Sequence, residues 1–199
     1  MSAVFLALAI ALSSGLPHNS WLGLRSGPAR GALAFCTVGA STGVSVWVAV
    51  GGSASLDIIQ VGELTTSRGA RFFAAYGRGE PRQPNSLYVE QDLGPAGDGY
   101  HKFTVRLLDG SWGLSIDGRT ALTVSDSFRT WEVRSVQASA EMQGPGSWGS
   151  RAAPSGCRGA RLLTTSWTTP TWWSYGAGLT ARAATNPVGR DSFTAFQAP

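Results

Sequence analysis

The sequence predicts an all-β chain folded as an antiparallel sandwich, and three observations predict it. Val44, Val46, Val48 and Val50 alternate with Ser45, Trp47 and Ala49, a period of two that turns one valine-rich face of a strand toward a core. Asp109-Gly110 and Asp117-Gly118 each interrupt alternating runs, as hairpin turns do. No stretch of helical length shows apolar spacing of three and four without Gly, Pro or a β-branched run. Short strands separated by frequent turns are the pattern of packed antiparallel sheets.

Taken in order, residues 1–20 read as a leader and 21–199 as one β-sandwich domain with an extended N-terminal arm and a Trp-rich C-terminal part. Ala3 to Leu12 is apolar and is followed by Ser13, Ser14 and Gly15, with Ala9-Ile10-Ala11 as a small-residue cleavage site. That is a weak signal peptide with no basic residue before it, and it is too short to span a bilayer. An exported, extracellular protein is therefore expected. His18 to Ala34 is non-periodic and reads as the arm. Phe35 to Val38 is a short strand leading into Val44–Val50, and Gly51-Gly52-Ser53 is a loose turn. Leu56 to Leu64 is a second strand, carrying Gln60 among Ile58, Ile59 and Val61. An amide buried unpaired costs several kcal/mol, so Gln60 must bond to a partner or face a groove.

Arg71 to Tyr76 follows as a strand, with Phe73 on one face and Phe72 and Tyr76 on the other. Leu87 to Leu93 is another strand between loops 77–86 and 94–99. The alternation of His101–Leu107, Trp112–Ile116 and Thr120–Val124, joined by the two Asp-Gly turns, is an antiparallel meander. Phe128 to Met142 reads as one long strand. It has Val136, Ala138, Ala140 and Met142 on one face, and Ser135, Gln137, Ser139, Glu141 and Gln143 on the other. Leu162 to Trp167 and Ser192 to Phe196 are closing strands.

Charge and chemistry narrow the function. Fifteen of the sixteen basic residues are arginine, scattered and not interleaved with aromatics, so a nucleic-acid groove is not expected. Cys36 and Cys157 are too far apart for a CxxC motif. They form one disulfide in an exported chain or two buried thiols in the cytosol. His18 and His101, the two histidines, have no metal-ligand or triad spacing, and no Gly-rich loop precedes a helix. No metal and no cofactor are expected. Trp167, Trp172, Trp173 and Tyr175 lie among Ser and Thr, where flat rings either stack on sugars or close the core.

Four motifs in order, Ser45–Gly52 (Ser-Val-Trp-Val-Ala-Val-Gly-Gly), Ile58–Gly62 (Ile-Ile-Gln-Val-Gly), Arg71–Tyr76 (Arg-Phe-Phe-Ala-Ala-Tyr) and Ala138–Met142 (Ala-Ser-Ala-Glu-Met), resemble those of the eqolisin, or glutamic peptidase, family. The resemblance implies a concanavalin A-like, jelly-roll sandwich that hydrolyses polypeptides in acid. Gln60 would match the family's catalytic glutamine and Glu141 its glutamate, the base that activates water while the amide meets the oxyanion. Trp47 and Tyr76 would line the substrate cleft. The chain departs from the family at Gly51-Gly52, at Ala75-Tyr76-Gly77 and at Met142, where acidic and aromatic groove residues are replaced. The alternative expectation is a non-catalytic secreted sandwich that binds glycans or a partner protein.

Overall fold

The computed structural model describes residues 20–39, 43–142, 149–150, 153–169, 173–177, 183–186 and 191–197. Its strands are β1 (Ser20–Ser26), β2 (Gly31–Thr37), β3 (Val44–Gly51), β4 (Ile58–Thr66), β5 (Gly69–Arg78), β6 (Leu87–Pro95), β7 (His101–Leu108), β8 (Ser111–Ile116), β9 (Arg119–Ser125), β10 (Ser135–Met142), β11 (Gly149–Ser150), β12 (Ala153–Leu163), β13 (Trp167–Thr168), β14 (Trp173–Ala177), β15 (Ala183–Asn186) and β16 (Phe193–Gln197). They form a seven-stranded sheet ordered β14-β1-β10-β3-β4-β5-β6. Opposite it lies a nine-stranded sheet whose main path is β15-β16-β12-β2-β7-β8-β9, with β11 and β13 pairing to β12. Every pairing is antiparallel. Among the described residues no helix is long and apolar enough to cross a membrane.

The core lies between the sheets and follows the period of two. Val44, Val46, Val48 and Val50 point inward with Ile59, Val61, Ala138 and Ala140, and meet Phe103, Val105, Trp112 and Leu114 from the other sheet. Both Asp-Gly turns adopt positive φ at each central residue, 47° and 75° at Asp109-Gly110 and 52° and 82° at Asp117-Gly118. This mirror-image turn matches strand twist and keeps the β7-β8-β9 meander tight. Cys36 and Cys157 are direct partners across β2 and β12 and are joined by a disulfide spanning 121 positions of sequence.

Three stretches differ from expectation. Leu162 to Trp167, expected as one closing strand, holds instead the end of β12, a bend over 164–166 and the first residue of β13, while β12 itself starts at Ala153, ahead of any expected strand. The expected arm supplies two strands. Leu22 and Leu24 of β1 enter the core opposite Ala140 and Ala138, and β2 runs from Gly31, four residues before the expected start. Glycines at 23, 27 and 31 break the apolar alternation, so tertiary pairing carries these strands where local pattern does not. The long strand expected from Phe128 begins only at Ser135. Ahead of it a 3-10 turn over Asp126–Phe128 is held by Asp126, which accepts from the Trp112 indole (2.6 Å) and the Arg129 guanidinium (3.0 Å). Residues 1–19 of the expected leader and Trp172 lie outside the described residues, as do the side chains of Trp173 and Tyr175, while Ser20 opens β1.

Among the described residues one acid sits inside. Glu63 has the inward parity of Ile59 and Val61, is 2% exposed, and has one carboxylate oxygen buried with no hydrogen-bond partner. Burial pushes its carboxyl up to about 7, against the opposing pull of His101 and a backbone hydrogen bond at Val38. His101 stands edge-on to Phe72, with Nδ1 2.8 Å from Asp117 and Nε2 3.1 Å from the Gly97 carbonyl. Burial works against its charge, but both ring contacts are acceptors and the net shift is upward.

Candidate functional site

Three of the four residues singled out in the sequence, Gln60, Trp47 and Glu141, lie on the outer face of the seven-stranded sheet, the face turned away from the core. Strand register lays this face out in rows. One row runs Arg25, Gln137, Ala49, Gln60, Ala75 and Glu90; the next runs Gly23, Ser139, Trp47, Gly62, Phe73 and Asp92. The glycines of the second row permit close backbone approach. A Cβ at Gly62 would lie 2.1 Å from the Val46 carbonyl oxygen, and one at Gly23 would lie 2.3 Å from that of Ala138. Trp47 and Phe73, 7% and 4% exposed, pack with Ala49 and Ala75 into a small apolar cluster of their own. They form a floor rather than an open stacking platform.

On that floor stands a directed chain of hydrogen bonds. The Gln60 amide donates to the Tyr88 hydroxyl (3.3 Å), and that hydroxyl donates to Glu90 Oε2 (3.0 Å). Tyr88 and Glu90 are half-buried. Burial raises the Glu90 carboxyl, opposed by the Tyr88 hydrogen bond. Burial, then the charge of Glu90 and, more weakly, that of Glu141, holds the Tyr88 hydroxyl protonated well beyond the ordinary range. The result is an oriented donor, relay and acceptor along the edge of an apolar floor. Arg71 and Asp92 close the neighbouring row with an ion pair of 2.6 Å.

The structure places the expected residues as follows. Gln60, Trp47 and Glu141 share the outer face. Tyr76 does not: it has the opposite parity, pairs with Ile59, and packs its ring edge-on against Phe128 at 4.9 Å between centroids. Glu141 pairs with Ser45, whereas Gln60 pairs with Ala49. The two are therefore two strands and four register positions apart, with the charge of Glu141 felt at Tyr88, the partner of Gln60. The Gln60 amide is turned toward β6, away from β10. Tyr88 and Glu90 were not singled out in the sequence. Their signal was the polar parity Tyr88, Glu90, Asp92 within Leu87–Leu93.

No protein-family model and no curated protein matches the chain. Solved structures do show likeness. One is described under endo-acting O-glycanases of the human gut microbiota that initiate mucin breakdown, with TM-score 0.47 and 7% identity over 59% of this chain and 48% of that one. A second is a glycoside hydrolase family 16 protein of Bacteroides ovatus, with TM-score 0.45 and 12% identity over 63% of this chain and 67% of that one. A third is the catalytic domain of an endo-1,3-beta-glucanase from Thermotoga petrophila, with TM-score 0.44 and 10% identity over 90% and 77%. The chain thus spans about half the length of the first of these. At such scores the likenesses accompany the strand pairing described above and add no functional argument. None of the three is a glutamic peptidase, and the motif resemblance to that family gains no support from them.

Proposed function

We propose that the chain is a glycan-binding β-sandwich whose site is the outer face of the seven-stranded sheet. The observation that carries the reading is the Gln60–Tyr88–Glu90 chain on its floor of Trp47, Phe73, Ala49 and Ala75. A sugar offers neighbouring hydroxyls that both donate and accept, and an amide donor and a carboxylate acceptor a few ångströms apart complement them. The buried Trp47 and Phe73 support that pair from beneath rather than stacking on the sugar. The disulfide fits an oxidising compartment and supports export. The peptidase reading is the weaker one here, because the Gln60 amide is engaged with Tyr88, and the solved structures described above lend it no support.

Titration calorimetry with neutral gluco-, galacto- and manno-oligosaccharides tests the proposal. At least one series should bind, and Tyr88→Phe or Glu90→Gln should weaken it about tenfold, the worth of one charge-assisted hydrogen bond. Absence of binding by all three series, or binding that both variants leave unchanged, would overturn it. Release of reducing ends by the wild type but not by Glu90→Gln would make the face catalytic instead.

A further inference from the structure

The two sheets differ in charge. The strands of the nine-stranded sheet contain no Asp or Glu, yet carry Lys102, Arg106, Arg119, Arg158 and Arg161. The strands of the seven-stranded sheet carry four acids, Glu63, Glu90, Asp92 and Glu141, against three arginines, Arg25, Arg71 and Arg78. Of the cations, Arg161 pairs with Asp191, and Arg119 lies in the field of Asp117. Among the described residues no carboxylate pairs with Lys102, Arg106 or Arg158.

These three project from the outer face of their sheet, opposite the site above, and two of them frame exposed aromatic rings. Phe35 is the register partner of both Arg158 and Lys102, so the three stand side by side across β12, β2 and β7. The Arg158 guanidinium lies over the Tyr100 ring, 3.9 Å from its centroid. Phe35 and Tyr100 are 39% and 38% exposed, unusual for rings that could have been buried. A bulge between Arg158 and Arg161 puts Gly159 at φ 61°, where a Cβ would sit 3.4 Å from the Phe35 ring. Glycine there leaves that ring uncovered. Arg106 follows four residues along β7 from Lys102, on the same parity.

We propose that this face is a second binding surface, for an acidic polysaccharide with carboxylate-bearing rings. Stacking on Tyr100 holds the Arg158 guanidinium in place with its N–H edge available for a carboxylate. Phe35 offers an apolar plane for the sugar ring, and Lys102 and Arg106 extend the positive charge along β7. A nucleic acid is a poorer fit. A protein that grips a duplex commonly engages about 6–10 phosphates, and three cations without a carboxylate partner fall short of that. The inference borrows only the ligand class from the proposed function; its residues lie on the other sheet.

The test is affinity electrophoresis of the full chain in gels containing polygalacturonate, at about 0.15 M salt to screen weak long-range attraction. Laminarin gels and a poly(dT) competitor serve as comparisons. Polygalacturonate should retard the wild type, Arg158→Ala and Tyr100→Ala should each weaken retardation about tenfold, and Glu90→Gln should leave it unchanged. All three variants should keep the wild-type melting temperature within a few degrees, since each site is exposed or half-buried. No retardation by polygalacturonate, equal retardation of Arg158→Ala and wild type, or equally tight displacement by poly(dT) would overturn the proposal. Polygalacturonate retardation of a wild type that binds none of the three neutral oligosaccharide series would instead count only against the site on the seven-stranded sheet.

Discussion

Glu63 is where a single residue has the largest consequence for the energetics. A carboxyl among core valines is expensive as a charge, and its unpartnered oxygen shows that the fold does not neutralise it with a cation held in contact. The protein instead keeps it protonated, with a folded pKa of about 7 against an ordinary 4.5. A carboxyl raised in this way contributes stability that is fully present below about pH 4.5 and is lost as the pH rises toward 7. The charges around it are His101, which lowers the shift, and Asp98, which raises it. Glu63→Gln keeps the shape and removes the titration. Chemical denaturation should find the variant equal to wild type near pH 4 and more stable near pH 8, by about 1–3 kcal/mol. An unchanged difference across that range would contradict the linkage. Gln60 shows the opposite solution to the same problem. Its sequence context demanded a partner or a groove; the structure gives it Tyr88, on the face away from the core.

At the scale of elements, the second row of the seven-stranded sheet depends on residues that lack side chains. Gly62 and Gly23 let their strands approach so closely that any Cβ meets a neighbouring carbonyl oxygen. Gly62→Ala should therefore cost about 2–3 kcal/mol through forced backbone movement, while Gly27→Ala, where a Cβ would meet nothing within 4 Å, should stay within about 0.5 kcal/mol. Thermal melts of the pair test this, and equal losses would show that the close approach is dispensable. The bond from Cys36 to Cys157 ties β2 to β12 across the centre of the other sheet. Closing a loop of this length removes about 5 kcal/mol of chain entropy from the unfolded state, so reduction should lower the melting midpoint by many degrees. The strands that sequence predicted well were those whose alternation was written in Val, Leu, Ile and Phe, such as β3 and β7. Those it missed, β1, the start of β2 and most of β12, are glycine-bearing and take their stability from pairing with strands distant in sequence. No local pattern reports such partners. The candidate face was half legible: parity put Trp47 and Gln60 together, but Tyr88 and Glu90 join them only through β5 and β6 register.

For the whole molecule, the sandwich separates chemistry by layer. The acids borne on strands all lie on the seven-stranded sheet, beside Arg25, Arg71 and Arg78, while the nine-stranded sheet carries cations without acids, and the core between them holds one buried acid. That separation was invisible in a net charge of +4, because it depends on which strands share a sheet. Its thermodynamic signature is a stability optimum in weak acid. Asp92 and Asp126, hydrogen-bonded to Arg71 and Arg129, have lowered pKa values. Asp117 and Asp191 are lowered too, because contacts with His101 and Arg161 outweigh their burial. Stability from these four is present above their ordinary value of 3.8 and is lost as the pH falls through their depressed folded values. Glu63 and Glu90 act in reverse: both are raised by burial, so their contribution fades as the pH rises above 4.5. His101, raised from 6.5 by its acceptors, adds stability that disappears on further alkalinisation. The two sets meet at about pH 4–5, and the melting temperature should peak there and decline toward pH 8. Differential scanning calorimetry across pH 3–9 checks the shape, and Glu63→Gln should flatten the descending limb while leaving the acid limb in place. A melting temperature that stays level from pH 5 to 8 in the wild type would show that the buried carboxyls do not control the fold's pH response.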